Sequence, residues 1–443
     1  MRTATLPQPQ RLTAPAPART ASISFDLKIV LLLLCHSLVR SFFQFFGGPE
    51  APSNALLSGL ITATPFLLGM LWLTARVLAH QSPAIAHAPM RPVSLAMRVF
   101  LYLFGLVLLY AAYNGLLNRN EKLFNEIYTQ VILWSSAVIA FSAVRSIHDV
   151  RRLMRWFFPV LFMLATLRFL QGITAWFDLQ TPFFDAWTNG ILIALGYCLF
   201  LSRFLVKEKT TWKDLAALFI FTGSLLVTFH KPMVWSTAIT TAVMVGMAFW
   251  KRGAHAGRRL LYAILITALF VILADLLTGG AVFAQYRADF YRLYLKIDEA
   301  TGRPLGTSGI HGGRLYIWED SLHRFAQRPL FGEGLGVGSR VGGLTEDVAI
   351  HNVAVYFLLA TGTVGSIVTL GLFFSWLRPV LRSLRRDKDL VLTLGLFGYV
   401  TFILAFGMVG TIWVVSSVTY MLGITLGLTY KIALLKTAQE QRT

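Results

Sequence analysis

Apolar runs of about 20 residues, the length a helix needs to cross a bilayer, recur along nearly the whole chain and constrain its fold more than any other feature. Hydropathy windows of about 19 residues find twelve of them, beginning near Ile29, Ala55, Val99, Tyr128, Trp156, Gly190, Leu215, Val234, Leu260, Asn352, Leu390 and Thr411. Composition excludes a soluble globule independently: 56% of the 443 residues are hydrophobic and 14% charged, against about 25% charged in a typical soluble domain. The expected fold class is all-α, a polytopic membrane protein with about twelve transmembrane helices and one long loop that contains a helix. Residues 1–28, polar and Pro-containing, read as a disordered tail, 29–279 as helices one to nine, 280–350 as the loop, 351–433 as helices ten to twelve, and 434–443 as a second tail. No small-residue cleavage pattern follows the first run, so it reads as a signal anchor that is retained. Cys35 and Cys198 both fall inside apolar runs, which leaves no metal motif and makes a structural disulfide unexpected.

The net charge of +19 suits nucleic acid, anionic lipid or an anionic substrate, and the placement of the charges decides among them. With a cytoplasmic N-terminus, 27 of the 40 Lys and Arg fall on the cytoplasmic side, in clusters such as Arg145, Arg151, Arg152 and Arg155 or Arg378 to Lys388. The short segments of the opposite side hold only Arg40, Arg119, Lys122 and Lys231. Such a bias is the positive-inside signature, so the basicity is mostly topological and nucleic-acid binding is not invoked. Both termini are then cytoplasmic.

The loop of about 70 residues from Gly280 to Ile350 is long enough to be functional by default. Within it, Leu315, Trp318, Leu322, Phe325 and Ala326 recur at helical spacing, with Glu319, Asp320, His323 and Arg324 on other faces. An amphipathic helix is expected to open after Gly312-Gly313 and stop before Pro329. The stretch Gly332-Glu333-Gly334-Leu335-Gly336-Val337-Gly338 follows, suited to tight turns and close backbone approach to a ligand.

Four residues carry candidate chemistry on the outer side. Arg168 lies inside the fifth run, where a charge costs at least about 2.5–3.5 kcal/mol near the bilayer centre; it either snorkels to the outer interface or serves a site. Lys231, in the turn His230-Lys231-Pro232, puts a cation where topology disfavours one. Arg314 opens the loop helix, where its guanidinium and the free backbone N–H groups together favour a phosphate. His351 opens the tenth run, and imidazole is suited to taking a proton from a hydroxyl at neutral pH. Each alone has a plainer reading as an anchor, a surface arginine or a helix cap; together they suit an anionic head group whose lipid tail lies in the bilayer, with a proton acceptor beside it for group transfer. Asp275 reads as a satisfied helix-packing group. The loop acids Asp289, Asp298, Glu319, Asp320 and Asp347 show no metal-ligand spacing and read as solvated charges.

Gly313-Arg314-Leu315-Tyr316-Ile317-Trp318, then Pro329-Leu330-Phe331-Gly332-Glu333-Gly334-Leu335-Gly336, then His351-Asn352 with Gly362 and Gly365, resemble in order and spacing the outer loop and following helix of the O-antigen ligase and polymerase superfamily of bacterial envelope glycosyltransferases. The resemblance covers about residues 230–375; the first half agrees only in hydropathy. It implies transfer of a glycan from an undecaprenyl-diphosphate carrier to a lipid A-core sugar, at the periplasmic face of the inner membrane, by an inverting reaction without metal or cofactor. It implies His351 as general base and Arg314 as the group that binds the diphosphate and stabilises it as it leaves, with Arg168 and Lys231 as further diphosphate contacts. The family often has Ser-Arg where this chain has His230-Lys231, and an acidic residue before the first helix glycine where this chain has Ala360-Thr361. Lysine keeps the charge without the guanidinium fork. A polymerase that joins O-antigen repeat units or builds an exopolysaccharide is the nearest alternative, since the donor chemistry is shared, and a protein hydroxyl is a further acceptor option. Transport of a lipid-linked anion is a third, against which stands the lack of paired broken helices in the two halves.

Overall fold

The computed structural model describes residues 24–47, 64–65, 67–72, 93–176, 186–207, 210–227, 231–252, 254–277, 279–280, 283–284, 287, 314–338, 350, 352–386, 390–408 and 416–440. Every regular element among them is a helix: α1 (Phe25–Gly47), α2 (Leu95–Leu117), α3 (Leu123–Ala143), α4 (Ile147–Trp176), α5 (Ala186–Val206), α6 (Trp212–Leu226), α7 (Lys231–Arg252), α8 (Ala254–Leu277), α9 (Arg314–Gln327), α10 (Val353–Arg386), α11 (Leu390–Gly407) and α12 (Ser416–Glu440). Six helical stretches among them are long and apolar enough to cross a membrane: Leu95–Leu117, Leu123–Ala143, Ile147–Ile173, Pro232–Lys251, Val353–Arg386 and Leu390–Gly407. Their outward faces are apolar as well. Leu106 and Leu109 on α2 and Ile367 on α10 are 63%, 70% and 61% exposed, where a soluble protein places charge. The chain is therefore an all-helical, multi-pass membrane protein among its described residues.

The helix ends follow local sequence. Thr211 and Asp214 form a reciprocal capping box at α6, and Asp149 accepts the N–H groups of Arg145 and Ser146 at the start of α4. Helix α11 is apolar on all sides and almost wholly buried, as a helix without a polar face must be; α5, α7 and α12 pack around it. Along α12, Gly423 and Gly427 face the Leu133 and Ala137 carbonyls of α3, and a Cβ at either glycine would strike that backbone. Small residues four apart let two membrane helices approach closely.

Cross-helix hydrogen bonds fix the directions. Ser202 Oγ donates to Val391 O at 2.8 Å, Lys436 Nζ to Thr393 Oγ1 at 2.9 Å and Lys251 Nζ to Leu384 O at 3.1 Å. The C-terminal ends of α5, α7, α10 and α12 therefore gather with the start of α11, and this end carries Arg378, Arg382, Arg385 and Arg386. Helix α2 runs antiparallel to α10, with Gly371 against Phe100 and Gly365 against Val107. The opposite end thus collects the start of α10, the α2–α3 turn and the segment 328–338.

Candidate functional site

Helix α10 is broken at Gly362, whose φ of 68° and ψ of −171° are non-helical. A break inside a membrane helix exposes carbonyls and N–H groups that lipid cannot satisfy. Here the segment after α9 satisfies them: Glu333 N donates to Leu359 O at 2.8 Å, Gly334 N to Ala360 O at 3.0 Å, Thr363 N to Pro329 O at 2.8 Å and Val364 N to Leu330 O at 3.1 Å. The Pro329–Gly336 motif and Gly362 are therefore two halves of one joint. A Cβ on Gly362 would meet the Leu330 and Phe331 backbone, and one on Gly332 would meet Leu359 and Ala360.

The other side of the segment is fixed to the α2–α3 turn. Leu335 N donates to Ala111 O at 2.8 Å, while Asn118 Nδ2 donates to Glu333 O at 2.7 Å and Asn120 Nδ2 to Leu335 O at 2.8 Å. Gly336 N donates to Glu126 Oε2 at 2.7 Å, and Glu126 is 4% exposed. Cβ atoms on Gly334 and Gly336 would strike the backbone of Gly115 and Leu123. The glycines do permit a close approach, as their spacing suggests, but what approaches is the protein's own backbone rather than a ligand.

Helix α9 occupies the interval expected between Gly312-Gly313 and Pro329, and of the expected stripe Trp318 and Phe325 pack inward while Leu322 does not. Ile317 and Ser321 are buried, whereas Leu322 is 45% exposed. Ile317, Trp318 and Phe325 pack with Tyr356, Phe357 and Leu359 of α10. Arg324 ties the same helix to the glycine segment: it donates from Nε to Glu333 Oε1 at 3.1 Å, pairs through Nη2 with Glu333 Oε2, and reaches Gly338 O through Nη1.

Of the four sequence candidates, Arg168, Lys231 and Arg314 belong to helices that reach this end of the bundle. Arg168 is 1% exposed, so it turns into the protein instead of snorkelling: a Cβ on Gly190 of α5 would lie 3.2 Å from its Nη1 and 2.6 Å from Met233 Cε of α7. Lys231 is the first residue of α7, two before Met233, and its side chain lies outside the described residues. Arg314 is the first residue of α9; its side chain is likewise outside the description. His351 itself lies outside the described residues. Its neighbour Asn352 is buried and caps α10, Oδ1 accepting the N–H groups of Ala354 at 2.9 Å and Val355 at 3.1 Å. Arg168 is thus brought to the start of α7, and Arg314 to α10 through the packing of α9. Tyr356 Oη and Trp318 Nε1, on the facing helices, are buried with no hydrogen-bond partner among the described residues.

Asp275 is satisfied by hydrogen bonding. Its Oδ1 accepts Phe283 N at 2.9 Å in the turn that follows α8. No three His, Cys, Asp or Glu side chains among the described residues stand together as a metal site. Of the loop acids, Asp320 lies 4.0 Å from Arg324, and Asp289, Asp298 and Asp347 are outside the described residues.

The chain matches no known protein-family model and no curated protein. Sequence reasoning missed Glu126, Arg324, Glu333 and the two asparagines of the α2–α3 turn. Their one local signal is an acid, Glu126, at the mouth of an apolar run and another, Glu333, among glycines, both polar groups that need a partner once buried.

Proposed function

We propose that this chain is a glycosyltransferase of the O-antigen ligase kind in the bacterial inner membrane. It has about twelve spans, both termini in the cytoplasm and its 280–350 loop on the periplasmic side. The observation that carries this reading is the joint between residues 329–336 and the break of α10. The joint holds α9, with Arg314 at its start, against the helix that Asn352 caps directly after His351.

In the proposed reaction the donor is a glycan on undecaprenyl diphosphate and the acceptor a lipid A-core sugar. His351 takes the proton of the acceptor hydroxyl, whose oxygen attacks the anomeric carbon from the face opposite the diphosphate. The new glycosidic C–O bond forms as the anomeric C–O bond to phosphate breaks, with inversion, and the electron pair departs on the diphosphate. Arg314 neutralises that departing charge, with Arg168 and Lys231 holding the diphosphate. No metal or cofactor is required for this balance. Support for an enzyme rather than a transporter comes from the break of α10, which the chain's own backbone fills among the described residues.

The test is the lipopolysaccharide of the source strain lacking the gene, run on a gel with and without plasmid-borne wild type. Loss of every O-antigen band, including the single-repeat band, is expected. A surviving single-repeat band identifies a polymerase instead, and an unchanged profile overturns both. Purified His351→Ala, folded and inactive in glycan transfer, is expected; full activity removes the assigned base.

A further inference from the structure

The basic end of the bundle carries a feature that glycan transfer at the other end does not use. Arg378, Arg382, Arg385 and Arg386 follow one another along two turns of α10, and all four are exposed. With Phe374, Leu377 and Leu381 they line a cleft of about 590 Å³. Arg385 also lines an adjoining cleft of about 240 Å³, together with Met247, Trp250, Lys251, Leu384 and Leu390. The Arg385 guanidinium lies over the Trp250 ring, 4.4 Å from its centroid, and Lys251 Nζ is held on Leu384 O. Among the described residues, no carboxylate lines either cleft.

We propose that these clefts hold the phosphate head group of an anionic phospholipid from the leaflet at this end. Like charges four apart on a helix repel, and Arg378–Arg382 is such a pair with Arg385 one turn on, so an anion contacted by several of these groups relieves the face. The Trp250 ring fixes Arg385 in place, which lowers the ordering cost of binding. The occupant is a lipid rather than a soluble anion because the charged stripe continues into an apolar one. Ile367, Leu370 and Phe374 are 61%, 54% and 60% exposed on the same helix, next in line toward the membrane interior. Guanidinium groups above and bare hydrocarbon below match an amphiphile whose head group carries negative charge, and basic pockets between membrane helices bind such lipids.

The test uses the purified full-length protein, delipidated in neutral detergent and titrated with phosphatidylglycerol or phosphatidylcholine, with bound lipid counted by native mass spectrometry. Tighter binding of phosphatidylglycerol is expected, and Arg382→Gln/Arg385→Gln should weaken it about 30-fold, as two lost cation contacts do. Phosphatidylcholine binding should be unchanged. Trp250→Leu should weaken phosphatidylglycerol about threefold. The control pair Arg145→Gln/Arg155→Gln removes equal charge from the same end on exposed residues outside the clefts and should leave binding nearly intact. Equal losses from both pairs, or no loss from the cleft pair, overturn the proposal. Displacement of the lipid by inorganic phosphate at matched concentration also overturns it, by assigning the clefts to a free anion. Should the cleft pair fail to fold, Arg378→Gln alone carries the test, with a loss of about fivefold expected.

Discussion

A single φ angle decides whether the loop and the tenth helix can meet. At Gly362 the backbone takes φ 68° and ψ −171°, a region open essentially to glycine alone that costs another residue about 1–3 kcal/mol, and an added Cβ would displace the Leu330–Phe331 backbone that satisfies the helix break. Gly362→Ala should therefore lower the melting temperature in detergent markedly. Gly105 in α2 has nothing within 4 Å of an added Cβ, and Gly105→Ala should be neutral or stabilising by up to about 1 kcal/mol. A matched shift of both variants would show that the helix break is not the sensitive point. Gly190 is a third kind of position: its Cβ would press on Met233 Cε and Arg168 Nη1, both ends of flexible side chains. Gly190→Ala should fold with little change in melting temperature yet displace the Arg168 guanidinium. If Arg168 holds the diphosphate, donor KM should rise several-fold with kcat nearly constant; an unchanged KM would detach Arg168 from the donor.

Between elements, the segment 329–338 acts as a strap tying α9, α10 and the α2–α3 turn together. Glu126→Leu leaves Gly336 N–H buried without its acceptor, a loss of about 1–3 kcal/mol, and should raise amide hydrogen exchange over 332–338 before it affects the distant α11. Uniform exchange across the bundle would contradict a local strap. Arg324 and Glu333 are largely buried and doubly bonded, so Arg324→Gln and Glu333→Gln should couple in a double-mutant cycle by about 0.5–3 kcal/mol; strictly additive losses would show that the pair contributes nothing as a pair. How far these contacts were legible in the sequence follows from their range. The span of α9 was readable because Gly313 and Pro329 bracket it locally. Its inward face was readable in part: Trp318 and Phe325 pack inward as their spacing suggests, while Leu322 stays exposed and Ile317, outside the stripe, is buried. Glu126 and Gly336 stand 210 residues apart, and no local pattern joins an acid at the mouth of one apolar run to a glycine in a later loop. Arg168 was legible as an oddity through its cost in lipid, but its direction depended on the missing Cβ of Gly190, another helix away.

For the whole molecule, the direction in which the bundle sits in the membrane fixes which end meets donor and which meets inner-leaflet lipid. The structure sorts the cations that the sequence separates only by alternation. The C-terminal arginines of α10, Lys251 and Lys436 collect at one end through the contacts of Thr393 and Leu384, and Arg151 close to Lys436 puts the start of α4, with Arg145 just before it, at the same end, while the glycine strap, Asn118 and Glu121 stand at the other. A dense basic end resists translocation, so it should face the cytoplasm. The chain has only two cysteines to remove, Cys35 and Cys198, which makes the orientation directly measurable. In a Cys35→Ser/Cys198→Ala background, Glu121→Cys should react with a membrane-impermeant maleimide in spheroplasts. Arg145→Cys, exposed at the basic end, should react only after the inner membrane is opened. The reverse pattern would put the strap, His351 and the proposed donor site in the cytoplasm, where a periplasmic acceptor never arrives, and would overturn the transfer reaction while leaving the lipid site to be sought in the opposite leaflet.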